Sequence, residues 1–338
     1  MAGFIFWSRR QGDFMSTTKT IPYLSEETLA GLDITIGEVI DSIERLIHGT
    51  ARSTVWSAPK AVMLPPDGRY MMAALAAADD PPLLAVKTIV LNPRNPDRGL
   101  PAINGLVTML DSETGLPVAI LDANWITEVR TAGLSAIAAR RMARTDSSVA
   151  AFIGSGIQAR SHLRAFADLF PLREVRVFGR GQANIDALCQ AAERLKLRPV
   201  ICGSAKEALT GADLIVSSVT YSAELKPFLD ANWIKPGGFA AITDLGIPWR
   251  KDSLSAFDRI VIDDVNQEAA LPNKLAPPEL VAGDLSGLVL GAFKGRTQDN
   301  DRTAFIFRGH ALGDLGLAVL AFAKARQKTG SLKGGSQR

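Results

Sequence analysis

The chain has 338 residues, 47% hydrophobic and 22% charged, enough apolar material for two domains or for one domain with a large appendage. Its net charge of +3, from 38 basic and 35 acidic residues, is too small to argue for nucleic acid or a membrane surface as partner. No apolar run approaches the roughly 18–20 residues of a bilayer span, and Cys189 and Cys202 match no metal spacing and imply a reducing compartment; the expectation is a cytoplasmic globular protein with no metal site.

Residues 1–15 read as a non-native or disordered extension, because Met15 is followed by an ordinary domain start and the charge order is the reverse of a signal peptide. Ser25 caps a first short helix that Gly31 ends. From Thr35 a second helix is predicted, with Ile36, Val39, Ile40, Ile43 and Leu46 at helical spacing. Short alternating stretches follow at 60–64, 70–73, 83–90 and 105–110, separated by turn residues. They predict an antiparallel sheet with helices against it. A helix begins near Trp125 and continues through the Arg130-Thr131 region.

From residue 148 strand and helix alternate. Strands are predicted at 149–153, 175–178, 199–201, 214–217, 239–242 and 259–262, which implies an α/β fold with a doubly wound parallel sheet of Rossmann type. The first strand runs into Gly154-Ser-Gly156-Ile157-Gln158-Ala159. Here Gly154 permits a tight turn, Gly156 lets backbone approach a pyrophosphate, and the helix from Ile157 offers N–H groups to the phosphates. A plain strand–loop–helix turn would use the same small residues, so the order of segments around the turn carries the reading. After about residue 265 the periodicity fades, until a final helix at 312–324.

Ligands of such sheets bind beyond the C-terminal strand ends. The second strand ends at Arg180, with Arg176 near it and no acidic residue for a ribose 2′-hydroxyl. This favours NADP(H), with NAD(H) as the alternative and a solvated turn arginine as the plainer reading. The fourth strand ends in small hydroxyl residues up to Thr220, where the nicotinamide half would pass. The fifth ends Thr243-Asp244, and Asp244 is either a proton donor/acceptor or a cap for the segment after Pro248.

Taken together, Val86-Lys87-Thr-Ile-Val, Asp111-Ser-Glu-Thr-Gly-Leu-Pro, Arg130-Thr-Ala-Gly-Leu-Ser135, Gly154-Ser-Gly-Ile-Gln158, Asp244 and the 305–314 segment resemble the ornithine cyclodeaminase/mu-crystallin family across about residues 20–325. The resemblance implies a homodimeric enzyme with two domains. A substrate-binding and dimerisation α+β domain would span 16–128 and 312–338, and an NAD(P)-binding Rossmann domain 129–311. It also implies that Lys87 binds the substrate carboxylate and Asp244 is the catalytic acid/base. Arg130, Thr131, Gly154, Gly156, Ile157, Gln158, Arg180, Thr220 and Thr243 would then surround the cofactor.

The departures bear on the reaction. Lys60 stands where cyclodeaminases use an arginine for the carboxylate, which keeps the charge but loses the bidentate fork. The family's serine near the C-terminal glycine is replaced by Phe307. Arg308 follows it as a further substrate-binding candidate, with His310 close by. These features shift the expectation toward an NAD(P)H-dependent oxidoreductase acting on an imino or amino acid, of ketimine reductase or amino-acid dehydrogenase type. The alternatives are an ornithine cyclodeaminase, an ammonia-releasing lyase with catalytic NAD, and an NADPH-dependent ligand-binding protein of mu-crystallin type.

Overall fold

The computed structural model describes residues 20–220 and 225–334. The expected extension at 1–15 lies outside the described residues. Two compact units are present: one holds the described chain up to Asp33, Gly49–Ile126 and the chain from Ala318, and the other holds Ile34–His48 and Thr127–Leu317.

In chain order the first segments are β1 (Tyr23–Leu24), α1 (Glu26–Ala30), α2 (Ile36–Ala51), β2 (Val55–Ser57), β3 (Ala61–Met63), β4 (Tyr70–Asp79), β5 (Pro82–Leu91), β6 (Ile103–Asp111) and β7 (Pro117–Asp122). The predicted Ser25 cap is present, accepting from the Thr28 N–H. The seven strands form one sheet in the order β1-β7-β6-β5-β4-β2, with β3 also on β4. All pairs are antiparallel except β1 with β7. Burial alternates along β4 and β5, as a half-covered sheet requires. Met72, Ala74 and Ala76 share the covered face with Leu83, Ala85, Lys87, Val107 and Met109. The short strands β2 and β7 escaped the sequence reading because each is flanked by charged or turn residues that hide the alternation.

The second segment continues with α3 (Ala123–Met142), β8 (Val149–Ile153), α4 (Ile157–Leu169), β9 (Glu174–Phe178), α5 (Gln182–Arg194), β10 (Arg198–Ile201), α6 (Ala205–Leu209), β11 (Leu214–Ser217), β12 (Phe239–Ile242), β13 (Arg259–Ile262), α7 (Val265–Ala269), β14 (Val281–Asp284), α8 (Leu285–Val289), β15 (Thr303–Ile306) and α9 (Ala311–Gly334). An all-parallel sheet of eight strands results, in the order β10-β9-β8-β11-β12-β15-β13-β14. β8, β11, β12 and β15 are buried almost throughout, which is why their sequences are continuous apolar runs. The order reverses between β8 and β11, so the switch point, where ligands bind in such folds, lies at the ends of these two strands.

Several further features differ from the sequence reading. β15, only four residues long, inserts between β12 and β13 and is fully buried, and β14 extends the edge. Their sequences fall in the Pro- and Gly-rich stretch where no period is visible. Residues 34–48 group with the parallel-sheet unit, whereas the sequence boundaries put them with 16–128. Helix contacts account for this. Ser42 Oγ donates to Gly316 O at 2.8 Å, Arg141 pairs with Glu44 at 2.7 Å, and a Cβ on Gly133 would come within 2.6 Å of Val39, so α2 packs against α3 through that glycine. The final helix runs to Gly334, well past the predicted 324.

Candidate active site

The turn after β8 has the shape a dinucleotide needs. Gly154 adopts φ +91, and a Cβ there would meet Ser218 O at 2.6 Å, so β8 and β11 can end side by side only with glycine at this position. Gly156 differs: its φ is −71 and a Cβ would meet nothing within 4 Å. Its bareness leaves an open cradle over the start of α4. Gly156 caps that 13-residue helix without a side-chain hydrogen bond, so the first N–H groups and roughly half a positive charge face the cradle. Ile157, the first helical residue, is exposed there, while Ala159 packs inward.

Buried polar atoms without partners lie on the turn, on the β11 end beside it, and on α3, the helix bonded to α4. Arg130 is 5% exposed; its Nε lies 3.1 Å from Asp314 Oδ1, as an ion pair without the alignment of a hydrogen bond, and Nη1 has no hydrogen-bond partner among the described residues. Gly309, at φ +98, lets the guanidinium lie flat, because a Cβ would stand 2.5 Å from Nη1. Gln158 Oε1 and Ser218 Oγ are likewise buried without a partner among the described residues. Gln158 and Ser218, unpartnered beside a helix N-terminus and a bare glycine, fit the phosphates and ribose of a dinucleotide, and Arg130 Nη1 is a further buried donor left open.

Behind the turn, His162 is fully buried. Its Nδ1 lies 2.7 Å from Gln158 O and its Nε2 2.8 Å from Ser135 Oγ, so Nδ1–H donates to the carbonyl and Nε2 accepts from the hydroxyl. Arg164, two residues further along α4, pairs with Glu128 at 2.6 Å, and the His162–Ser135 and Arg164–Glu128 bonds hold α4 against α3. Burial pushes His162 down to about 4, against a weaker opposing effect of the Gln158 carbonyl.

Asp244 stands at the end of β12 and is 9% exposed. Ser217 Oγ donates to its Oδ1 at 3.1 Å, the Val219 N–H donates to Oδ2 at 3.1 Å, and Trp249 Nε1 donates to Ser217 Oγ at 2.9 Å. The following residues turn left-handed, Leu245 at φ +59 and Gly246 at φ +67, and the Gly246 N–H adds a further bond. Burial raises the Asp244 carboxyl from 3.8 to about 6, and these donors oppose the rise without cancelling it. A carboxyl poised there can give or take a proton near neutrality.

The other candidates divide. Arg180 is exposed beyond β9 and makes no hydrogen bond or ion pair among the described residues. Arg176 differs from expectation: its guanidinium is bound to Glu174 at 2.6 Å and to Thr210 O, so it braces β9 rather than facing the crevice. Thr131 Oγ1 donates to Thr127 O at 2.5 Å along its own helix. Thr243 Oγ1 donates to Ser217 O at 3.0 Å. Thr220 is exposed at the end of β11. Arg308 Nε binds Glu268 at 2.9 Å and Nη2 binds Asn273 O, which makes it a tether for the 268–275 loop. His310 is buried, and its Nδ1 accepts the Leu312 N–H at 3.1 Å at the start of α9.

In the antiparallel unit, Lys87 is 1% exposed on the covered face of β5, between Ala74 and Val107. An ammonium on such a face is not an edge-strand surface lysine. β3 starts beside Lys60 and pairs Ala61 with Ala73, which puts the two lysines on either side of β4, roughly two strand spacings or about 10 Å apart.

Sequence reasoning missed Ser217 and Trp249 as partners of Asp244, and His162 as the bridge behind the turn. A serine at a strand end and a tryptophan five residues past an aspartate carry no spacing rule. Among the described residues no group of three His, Cys, Asp or Glu could hold a metal, and no helix is long and apolar enough to cross a membrane.

Comparison with known proteins places this geometry. The ketimine reductase mu-crystallin of Rattus norvegicus is 31% identical over 252 residues, 74% of this chain and 75% of its own length. The structure of an archaeal alanine dehydrogenase dimer with bound NAD is 25% identical and superposes with a TM-score of 0.81, covering 91% of this chain and 97% of that one. The Delta(1)-pyrroline-2-carboxylate reductase of Thermococcus litoralis, in complex with NADH and L-proline, has the same fold at 24% identity, with a TM-score of 0.82 over 91% of this chain and 98% of that one. The family model for ornithine cyclodeaminase/mu-crystallin matches residues 24–329, and the chain belongs to the ornithine cyclodeaminase/mu-crystallin family.

Proposed function

We propose that this chain is an NAD(P)(H)-dependent oxidoreductase that interconverts an imine and an amine beside a carboxylate, as a ketimine reductase or amino-acid dehydrogenase does. The observation that carries the reading is Asp244, a buried carboxyl held near pH 6 at the end of β12, in a sheet whose switch point carries a phosphate-ready turn. The rat relative named ketimine reductase and the archaeal alanine dehydrogenase with bound NAD support it.

A dinucleotide held at its phosphates by Arg130 and the α4 N-terminus would supply the hydride that the C=N carbon gains. Asp244 gives its proton to the nitrogen and becomes the carboxylate; in the oxidative direction it takes that proton back. Lys87 and Lys60 hold the substrate carboxylate, and fixing the substrate in this way lowers a barrier by several kcal/mol in general. Arg130 and the α4 N-terminus hold the phosphates, with Gln158 and Ser218 beside them. In domain terms, the parallel-sheet unit binds the dinucleotide and the antiparallel unit the substrate.

Arg180 supports NADP(H): it is an exposed arginine at the second strand end, where no carboxylate stands to bind a ribose hydroxyl. The outer face of the antiparallel sheet supports a homodimer. Met63, Met71, Leu75 and Leu106 stand 62%, 43%, 45% and 43% exposed on it, a wide apolar surface for a lone chain. Both cysteines are unpaired, which fits the cytoplasm.

The test is a panel of cyclic ketimines, 2-oxo acids with amines, alanine, lysine and ornithine, each with NAD(H) and NADP(H), read by nicotinamide absorbance and product mass. Reduction of an imine with consumption of NAD(P)H is expected. Proline formed from ornithine without net absorbance change would assign cyclodeamination instead, and no turnover with any of them would reject the enzyme. Strong preference for NADH would remove Arg180 from cofactor selection.

A further inference from the structure

Trp249 is fully buried in the apolar cluster with Leu254, Phe257 and Ile260, its ring 6.0 Å from that of Phe257. Packing alone would accept phenylalanine here. The indole adds one polar atom, a donor with no acceptor capacity, which must find a partner inside the core. That partner is Ser217 Oγ, itself fully buried at the end of β11. Ser217 Oγ has two bonded neighbours, Trp249 Nε1 at 2.9 Å and Asp244 Oδ1 at 3.1 Å. Since the indole can only donate, the serine accepts from it, and the hydroxyl hydrogen has Asp244 as its acceptor.

We infer that Trp249 and Ser217 are positioning residues for the acid/base step: the indole N–H turns the Ser217 hydroxyl toward Asp244 Oδ1, and this fixes both the carboxyl rotamer and the lone pairs on which the Asp244 proton resides. With Oδ1 occupied by Ser217 and Oδ2 by the Val219 N–H, the proton is left on the lone pairs that those donors do not use. The array opposes the effect of burial from three sides: Ser217 and Val219 on and after β11, the Asp244 N–H itself, and the Gly246 N–H of the left-handed turn. No charged side chain is among these principal influences. On the neighbouring strand ends, Arg308 is bound to Glu268 and Asp263 accepts the Arg308 N–H. The inference rests on the reading of Asp244 as the proton-carrying group.

The experiment is a carbon-13 carboxyl titration of the cofactor-free protein, with the Asp244 signal assigned by its loss in Asp244→Asn, alongside the pH profile of kcat/KM. Ser217→Ala should raise the Asp244 titration by about one pH unit and Trp249→Phe by about half a unit, the size of one neutral hydrogen bond or part of one. In the Ser217→Ala background, Trp249→Phe should add nothing, because the indole acts only through the serine. An equal shift in both backgrounds would show that Trp249 acts through packing and would overturn the proposal. An unmoved titration in Ser217→Ala would overturn it by itself, which keeps the test decisive if Trp249→Phe fails to fold. A titration that shifts while the rate profile stays in place would uphold the array and instead reject Asp244 as the acid/base.

Discussion

His162 and Asp244 belong to the same parallel-sheet unit and are both withdrawn from water, one behind the glycine turn and the other at the end of β12. Burial favours the neutral form of each, so the histidine falls to about 4 and the carboxyl rises to about 6. The outcome for chemistry is opposite. His162 is moved out of the working pH range and becomes a fixed donor and acceptor between Gln158 and Ser135, whereas Asp244 is moved into that range. Burial alone thus does not single out a candidate acid/base; the direction of the displacement relative to neutrality separates the two groups.

The largest expected effect is at Asp244. Asp244→Asn should lower turnover by about 1,000-fold or more while dinucleotide binding, followed by nicotinamide fluorescence, survives. Near-normal rates would erase the contrast with His162. Next is pH: imine reduction should fall as pH rises through about 6 and amine oxidation should rise through the same point, because the first needs the protonated carboxyl and the second the carboxylate. His162→Phe should leave that profile in place and destabilise the protein by about 1–3 kcal/mol in urea unfolding, through the unsatisfied Ser135 and Gln158 groups.

The two groups also tilt stability in opposite directions. The folded-state value of His162 is below its ordinary 6.5, so its contribution is present above 6.5 and lost as pH falls through about 4. The folded-state value of Asp244 is above its ordinary 3.8, so the stability it confers is present below 3.8 and lost as pH rises through about 6. Each amounts to about 3 kcal/mol. Removing His162 should therefore flatten the acid limb of an unfolding curve, and removing Asp244 should flatten the fall between about 4 and 6. A smaller effect tests the turn itself. Gly156→Ala should leave the melting temperature nearly unchanged, because its φ suits alanine and nothing lies within 4 Å, yet weaken dinucleotide binding by about tenfold. Unchanged affinity would mean that the phosphates dock elsewhere.

Much of the architecture is legible in the order of residues along the chain. The strands at 149–153, 214–217, 239–242 and 259–262 appear at the predicted residues, because a strand buried on both faces must be a continuous apolar run bounded by turn residues. The glycine roles at 154 and 156 follow from the same local logic. Thr303-Ala-Phe-Ile is equally apolar but follows a long charged and glycine-containing stretch after a helix of only five residues, so nothing local shows that it is a central strand. Arg308 reads as a substrate cation from its place in the chain; only the fold reveals Glu268 and Asn273 already around it. Arg176 is the same case with Glu174 and Thr210.

By itself the sequence determined the parallel sheet, the glycine turn after β8 and the identity of the chemically able residues, since these depend on periodicity, glycine conformation and side-chain type, all of which are local. The tertiary structure decided which of those residues can act. Asp244 owes its raised proton affinity to burial, and the limit on that rise to Ser217 from 27 positions earlier in the chain, with Trp249 behind that serine. Arg130 keeps its place through Gly309 and Asp314, nearly two hundred residues away. Desolvation and the pairing of donors with acceptors are properties of what surrounds a group in space, and no pattern along the chain records them.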